Sequence, residues 1–110
     1  MNALAPVAIP CCCPGAERLP AGREVEVARA FKALADPTRV AIVNRLGAHE
    51  VCVCDLTSDF DLSQPTISHH LKVLREAGII DARHEGTRAY YRLVPEAIGA
   101  LAAVLGARAA

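Results

Sequence analysis

The stretch that decides the fold is residues 62–78, which read LSQPTISHHLKVLREAG. Ser63 is a favourable N-cap, and Pro65 suits the first turn of a helix because its missing N–H would have no partner there. Gly78 is typical of the position just after a helix ends. The stretch therefore predicts a helix that begins after Ser63 and runs to Ala77.

This helix has two chemically different faces. At about 100° per residue, the apolar side chains share one broad arc and the polar side chains share another. The apolar arc holds Ile67, Leu71, Val73 and Leu74, and the polar arc holds Gln64, Ser68, Lys72 and Arg75. Gln can bond adenine bidentately, Ser can bond several base edges, and Lys and Arg suit phosphates. The pattern predicts a helix that reads DNA through Ser63, Gln64, Thr66, Ser68, His69, Lys72 and Arg75, while His70 has a packing or hydrogen-bonding role.

The rest of the chain supplies the elements of a winged helix-turn-helix. Helical patterns cover residues 24–35, the stretch from the Asp36 cap with Pro37 to Gly47, residues 55–60, and a last helix from Pro95. Strands over residues 79–83 and 88–93 flank a turn and form a wing, whose Arg83 and Arg88 are expected to touch DNA. The expected fold is mainly α with a small β-hairpin, about five helices and a two-stranded wing, in one domain over residues 23–110.

Residues 1–22 are rich in Pro and Cys and lack helical periodicity, so they are expected to form a flexible arm. A chain of 110 residues has room for one modest core, which favours self-association. We expect a homodimer interface built from the last helix and the first. It would use Val27, Phe31, Ile98, Leu101, Ala102 and Leu105.

Charge and motifs exclude several functions. Twelve bases balance twelve acids, but residues 63–92 hold five bases against three acids, so the positive charge lies where a DNA reader needs it. Pro6 and Pro10 interrupt the apolar start well short of a signal peptide or membrane span, so a cytoplasmic protein without a membrane partner is expected. A C-x-x-C thiol reductase motif, a Ser/His/Asp arrangement and a Gly-rich phosphate loop are all missing, which argues against an enzyme.

The five cysteines form two groups: Cys11, Cys12 and Cys13 in the arm, and Cys52 and Cys54 in the middle of the chain. An odd number with adjacent members is a poor disulfide framework, since bridges between neighbours are strained. Clustered thiolates are instead ligands for soft ions, or sites of oxidation. A packing role as two small apolar side chains is the alternative for Cys52 and Cys54.

Three segments together resemble one family. FKALADPTR at residues 31–39, VCVCDL at residues 51–56, and residues 62–78 are similar to the ArsR family of winged-helix, metal-sensing repressors. The resemblance covers residues from about 24 to 105. It implies a homodimer that sits on palindromic double-stranded operator DNA and leaves it when an inducer binds.

The resemblance also bears on the inducer. Arsenite-responsive members carry a third cysteine directly after C-V-C-D-L, and this chain has Thr57 there. In members that sense cadmium or lead, N-terminal cysteines of one subunit join the C-V-C pair of the other. We therefore expect Cys52 and Cys54, with one or two of Cys11 to Cys13, to form a thiolate site across the dimer. As(III) is the first choice of inducer because adjacent cysteines suit a trigonal ion; Cd(II), Pb(II) and thiol oxidation are the alternatives. Zinc is disfavoured, since residues 95–110 offer only Glu96.

Overall fold

The computed structural model describes residues 22–47 and 49–106, so the predicted arm lies outside the described residues apart from Gly22. The described part holds five helices and three strands. In chain order they are α1 (Glu24–Ala33), α2 (Pro37–Arg45), β1 (Val51–Cys52), α3 (Val53–Phe60), α4 (Gln64–Glu76), β2 (Ile80–Glu85), β3 (Arg88–Leu93) and α5 (Pro95–Val104). This arrangement confirms the predicted winged helix-turn-helix. None of the helices in these ranges is long and apolar enough to cross a bilayer.

The two predicted caps set where α2 and α4 begin. The Asp36 carboxylate accepts hydrogen bonds from the backbone N–H groups of Thr38 (2.8 Å) and Arg39 (3.2 Å). The Ser63 hydroxyl accepts from the N–H of Thr66 at 3.3 Å. Each bond satisfies a donor that the first turn of a helix cannot satisfy itself. The starts of both helices are therefore determined locally.

The apolar arc of α4 lies at the centre of the core. Ile67, Leu71 and Leu74 are almost completely buried, and α2 and α3 contribute Ile42 and Leu56, which are fully buried. Burying an aliphatic side chain of this kind is worth about 1.5–3 kcal/mol relative to leaving it exposed. Packing of the apolar arc inward leaves the polar arc of α4 at the surface.

The sheet has one strand more than the sequence predicted. Its order is β1-β3-β2, with β2 and β3 forming the expected antiparallel wing. The extra strand β1 pairs Val51 with Tyr91 and Cys52 with Tyr90. A two-residue strand carries no alternation that a sequence pattern can reveal. As a further correction, α3 begins at Val53, two residues before the expected start.

Candidate functional site

The cysteine pair lies where β1 ends and α3 begins. Cys52 caps α3 with extended backbone angles (φ −71°, ψ 144°), and Cys54 lies in the first turn of the helix. This geometry brings the two Sγ atoms within 2.7 Å of each other. Cys52 is buried and Cys54 is exposed, so the pair opens to the surface through Cys54.

The hydrogen bond between the two thiols shifts their pKa values in opposite directions. The hydrogen bond with the Cys54 thiol lowers the pKa of Cys52, aided by the backbone N–H groups of Cys54 and Asp55, while burial opposes the change. The same hydrogen bond raises the pKa of Cys54, and burial adds to the effect. N–H groups in the first turn of a helix favour negative charge. The Cys52 thiol therefore loses its proton more readily than the Cys54 thiol.

A positive side chain lies beside this pair. The pKa of Arg88 is raised first by the side chain of Tyr90, and then by the negative charge of Cys54 and Cys52. Arg88 and Tyr90 are two residues apart on β3, so their side chains lie on the same face of the sheet. Tyr90 is also the residue paired with Cys52. Arg88 and the cysteine pair are thus linked through Tyr90.

The pair offers two of the ligands that a soft ion needs. Thiolate sulfur is the preferred donor for such ions. Metal–sulfur bonds of about 2.3 Å in tetrahedral geometry place two sulfurs ~3.8 Å apart, so Cys52 and Cys54 would have to separate by about 1 Å to share an ion. No group of three or more Cys, His, Asp or Glu within residues 22–47 and 49–106 could hold a metal. Thr57 follows the motif, and its hydroxyl donates to the carbonyl of Val53 at 2.9 Å.

Any further ligand must therefore come from outside the described residues of one chain. The predicted candidates Cys11, Cys12 and Cys13 lie outside those residues. Their contribution remains a prediction.

The polar arc of α4 is available to a large partner. All the side chains predicted to contact DNA on this helix and its cap are exposed, namely Ser63, Gln64, Thr66, Ser68, His69, Lys72 and Arg75. The Ser63 hydroxyl also lies 2.9 Å from the hydroxyl of Thr66, so these two residues are held by the cap. The helix thus exposes amide, hydroxyl, imidazole and cationic groups to solvent, which are the kinds of group that read base edges in the major groove.

The two histidines of α4 differ in their surroundings, as predicted. His69 is exposed, whereas His70 is half-buried and its Nδ1 lies 3.4 Å from Nη1 of Arg39. Nε of Arg39 also donates to the carbonyl oxygen of Ala33 at 2.6 Å. This contact agrees with the packing or hydrogen-bonding role expected of His70.

The two arginines of the wing, Arg83 and Arg88, differ in their surroundings. Arg83 makes two contacts with Glu50, from Nη2 to Oε1 (2.7 Å) and from Nε to Oε2 (3.2 Å), and a third with Glu85 at 3.0 Å. Its guanidinium carbon also lies 4.8 Å from the ring centroid of Tyr90. Arg88 is exposed. Both remain predicted DNA contacts. To bind a DNA phosphate, Arg83 would have to give up its contacts with the carboxylates of Glu50 and Glu85.

The residues predicted for the dimer interface divide between core and surface. Val27 and Leu101 are only 6% and 7% exposed within a single chain, so they contribute to the core of that chain. Phe31, Ile98 and Ala102 are half-buried, and Leu105 is 73% exposed. An interface on α1 and α5 therefore has to use their outer residues, which include Leu105 and the exposed Val25 of α1.

Three residues near the site were not identified from the sequence. Arg39, Glu50 and Tyr90 each act through partners more than 30 residues away in the chain. The Val51-Cys52-Val53 run, which is β-branched on both sides of the cysteine, is the one signal that could have indicated β1 and hence the pairing with Tyr90.

Comparisons with known proteins agree with this geometry. The family model for bacterial regulatory protein, arsR family, matches residues 36–82. The arsenical resistance operon repressor of Escherichia coli K12 is 52% identical over 68 residues, which cover 59% of this chain and 56% of the repressor. A cadmium resistance transcriptional regulatory protein homologue of Staphylococcus aureus is 45% identical over 73 residues, covering 66% of this chain and 60% of that protein. The match thus spans little more than half the length of either relative.

A solved structure matches most of the fold. It is the solution structure of a homodimeric winged helix-turn-helix DNA-binding domain of Mycobacterium bovis, described as a possible ArsR-family regulator. The TM-score is 0.66 at 31% identity, and the match covers 78% of this chain and 83% of that domain. The chain therefore belongs to the arsR family of bacterial regulatory proteins, as a transcriptional regulator with a winged helix-turn-helix DNA-binding fold and not as an enzyme.

Proposed function

We propose that this chain is a metal(loid)-responsive repressor that binds operator DNA as a homodimer and is released when a thiophilic inducer, As(III), binds. The observation that carries the proposal is the position of the cysteine pair. Two sulfur atoms 2.7 Å apart lie at the start of α3, and only three residues, 61–63, separate α3 from α4. A ligand that changes their spacing therefore acts on the helix-turn-helix directly.

The proposed site consists of Cys52 and Cys54 with one or two of Cys11, Cys12 and Cys13, contributed by the partner subunit. The lowered pKa of Cys52 makes its thiol the easier of the two to deprotonate. Since thiolate is the form that binds soft ions, less free energy is spent on deprotonation. A bound As(III) would supply a trigonal centre that joins the sulfurs.

The proposed DNA interface is the polar arc of α4 with the wing. Gln64 and Ser68 lie on the arc as the base readers, and Lys72 and Arg75 further along as the phosphate contacts. Arg88 extends this surface onto the wing. Two such surfaces in a homodimer would meet half-sites about one DNA turn apart, so a change in their separation or tilt reduces affinity.

Cadmium or lead is the alternative inducer. Support comes from the similarity to the cadmium resistance regulator, and from the three arm cysteines, which could raise the number of thiolates to four. A complex of a divalent ion with more than two thiolates is anionic, and Arg88 would stabilise it. Thiol oxidation is the second alternative, supported by the short distance of 2.7 Å between the two sulfur atoms.

The test is a titration of the reduced full-length protein on labelled DNA from upstream of its own gene, with arsenite, Cd²⁺, Pb²⁺, Zn²⁺ and peroxide in separate arms. Release by arsenite at the lowest concentration is the expected result. Coupling of roughly 1–3 kcal/mol would weaken operator binding by about 5 to 150-fold. Cys54→Ser should bind the operator normally and fail to respond, and Ser58→Ala, on the same helix and exposed, is the matched control. A Cys54→Ser protein that is still released would remove Cys54 from the site, and failure to bind the DNA at all would exclude the repressor function.

A further inference from the structure

Three residues stand directly opposite one another across the sheet. Cys52 of β1 pairs with Tyr90 of β3, and Tyr90 pairs on its other side with Arg83 of β2. Residues paired in this way in antiparallel strands place their side chains on the same face, with Cβ atoms about 4.5–5.5 Å apart. This set, the sheet row, leads from the cysteine pair to the outer strand of the wing in two steps.

Side-chain contacts reinforce the sheet row. The guanidinium of Arg83 lies over the Tyr90 ring, 4.8 Å from its centroid, which is within the range of a cation–π interaction. Glu50 holds the same guanidinium at 2.7 Å and 3.2 Å through both of its carboxylate oxygens. Because Glu50 is two residues before Cys52, the segment that enters the cysteine pair is tied to the wing twice, once through Tyr90 and once directly.

The link continues to the tip of the wing. Nη1 of Arg83 donates to Glu85, the last residue of β2, at 3.0 Å. Arg88, the first residue of β3, is paired with Glu85 across the turn. A displacement of Cys52 therefore has a continuous series of contacts through which to reach the end of the hairpin.

We propose that Tyr90 and Arg83 are positioning residues that couple ligand binding at Cys52 to the orientation of the wing on DNA. This inference rests on the proposed function. A ligand shared by Cys52 and Cys54 has to change the spacing of two sulfurs that now lie 2.7 Å apart. Because Cys52 is paired with Tyr90 in the sheet, a shift of the Cys52 backbone is passed to Tyr90. The wing is the part of the domain suited to touch the backbone or minor groove, so its reorientation lowers operator affinity.

The decisive comparison uses two substitutions of Tyr90 in the full chain. Tyr90→Val removes the ring but keeps a residue that favours strands, whereas Tyr90→Phe keeps the ring and loses only the hydroxyl. Operator affinity is measured with and without arsenite, and the ratio of the two is the coupling. We expect the wild-type ratio, about 5 to 150-fold, to fall to about 1 in Tyr90→Val and to be retained in Tyr90→Phe. Affinity without arsenite should remain within about threefold of wild type in both variants.

A second pair of variants separates coupling from simple loss of charge. Arg83→Gln removes a cation that belongs to the sheet row, and Arg75→Gln removes an exposed cation of α4 that lies outside it. Arg83→Gln should lower the coupling ratio. Arg75→Gln should weaken DNA binding equally with and without arsenite and leave the ratio unchanged.

Arsenite binding is followed separately, through the ultraviolet absorbance of sulfur–arsenic bonds in protein free of DNA. Wild type, Tyr90→Val and Arg83→Gln should all bind with similar affinity. If all three proteins bind arsenite with similar affinity, but arsenite still weakens the operator binding of Tyr90→Val as much as that of wild type, the sheet row is not the route of coupling. The proposed function would then stand. If wild type binds neither arsenite nor Cd²⁺, the proposed function and this inference both fail.

Discussion

The guanidinium of Arg39 in α2 lies 3.4 Å from Nδ1 of His70 in α4 and also donates to the carbonyl of Ala33 at the end of α1. One half-buried side chain therefore joins three helices. The carbonyl of Ala33 is among those that a helix end leaves without an internal partner. Arg39 stabilises the position of α4 relative to the helices beneath it.

Replacing Arg39 by Gln should lower the free energy of unfolding by about 1–3 kcal/mol, because two hydrogen bonds from a charged donor are lost. Chemical denaturation measures the change. Arg45→Gln is the matched control in the same helix, since Arg45 forms an exposed ion pair with Asp59 whose loss should cost less than about 1 kcal/mol. Equal losses of unfolding free energy in the two variants would show that the contacts of Arg39 stabilise the fold no more than an exposed ion pair does.

The hydrogen bond between Cys52 and Cys54 predicts that removing either thiol shifts the pKa of the other, in opposite directions. In a background where Cys11, Cys12 and Cys13 are Ser, Cys54→Ala removes the donor to Cys52, so the pKa of Cys52 should rise towards its ordinary value. Cys52→Ala removes the acceptor, so the pKa of Cys54 should fall. The intact pair should release its protons in two steps, one on each side of the ordinary value. Thiolate absorbance against pH gives the midpoints, and a single common midpoint would contradict the hydrogen bond between the two thiols.

Lys72 and Gln64 should affect DNA binding in different ways. Lys72→Gln removes a phosphate contact, so it should weaken binding to all sequences and reduce the slope of log affinity against log salt by about 1. Gln64→Ala removes a base contact and should cost about 1–3 kcal/mol on the operator alone, with the salt slope unchanged. Binding to operator and to unrelated DNA over a salt series distinguishes the two. A reduced salt slope for Gln64→Ala would assign that residue to the backbone.

Leu105 is expected to lie in the dimer interface, because it is 73% exposed at the end of α5 beside α1. In a symmetric dimer Leu105→Glu acts twice, and losing about 1.5–3 kcal/mol of burial in each copy should raise the dimer dissociation constant at least ~100-fold. Sedimentation equilibrium measures it. The control is Val40→Glu, at a half-exposed position of α2. If Val40→Glu dissociates the dimer and Leu105→Glu does not, the interface lies on α2.

Much of the fold could be predicted because its signals are local. The Asp36-Pro37 and Ser63-Pro65 starts, the apolar arc of α4 and Gly78, which has a left-handed φ of 79°, each depend on residues within one or two turns. The dimer residues were harder to predict. Val27 in α1 and Leu101 in α5 lie at apolar positions of helical spacing, as Leu105 does at the end of α5. Periodicity alone does not distinguish a core position from an interface position.

The sequence by itself determined most of the helices, the caps of α2 and α4, the exposed polar arc of α4 and two thiols in a C-V-C motif. Only the tertiary structure decided that Cys52 contacts Cys54, that it stands opposite Tyr90, and that Arg83 is held by Glu50 33 residues earlier in the chain. The physical reason is that caps and periodicity are set by neighbours in sequence. The β1–β3 pairing, in contrast, joins a two-residue segment to a strand far away in the chain, and no local pattern encodes that encounter.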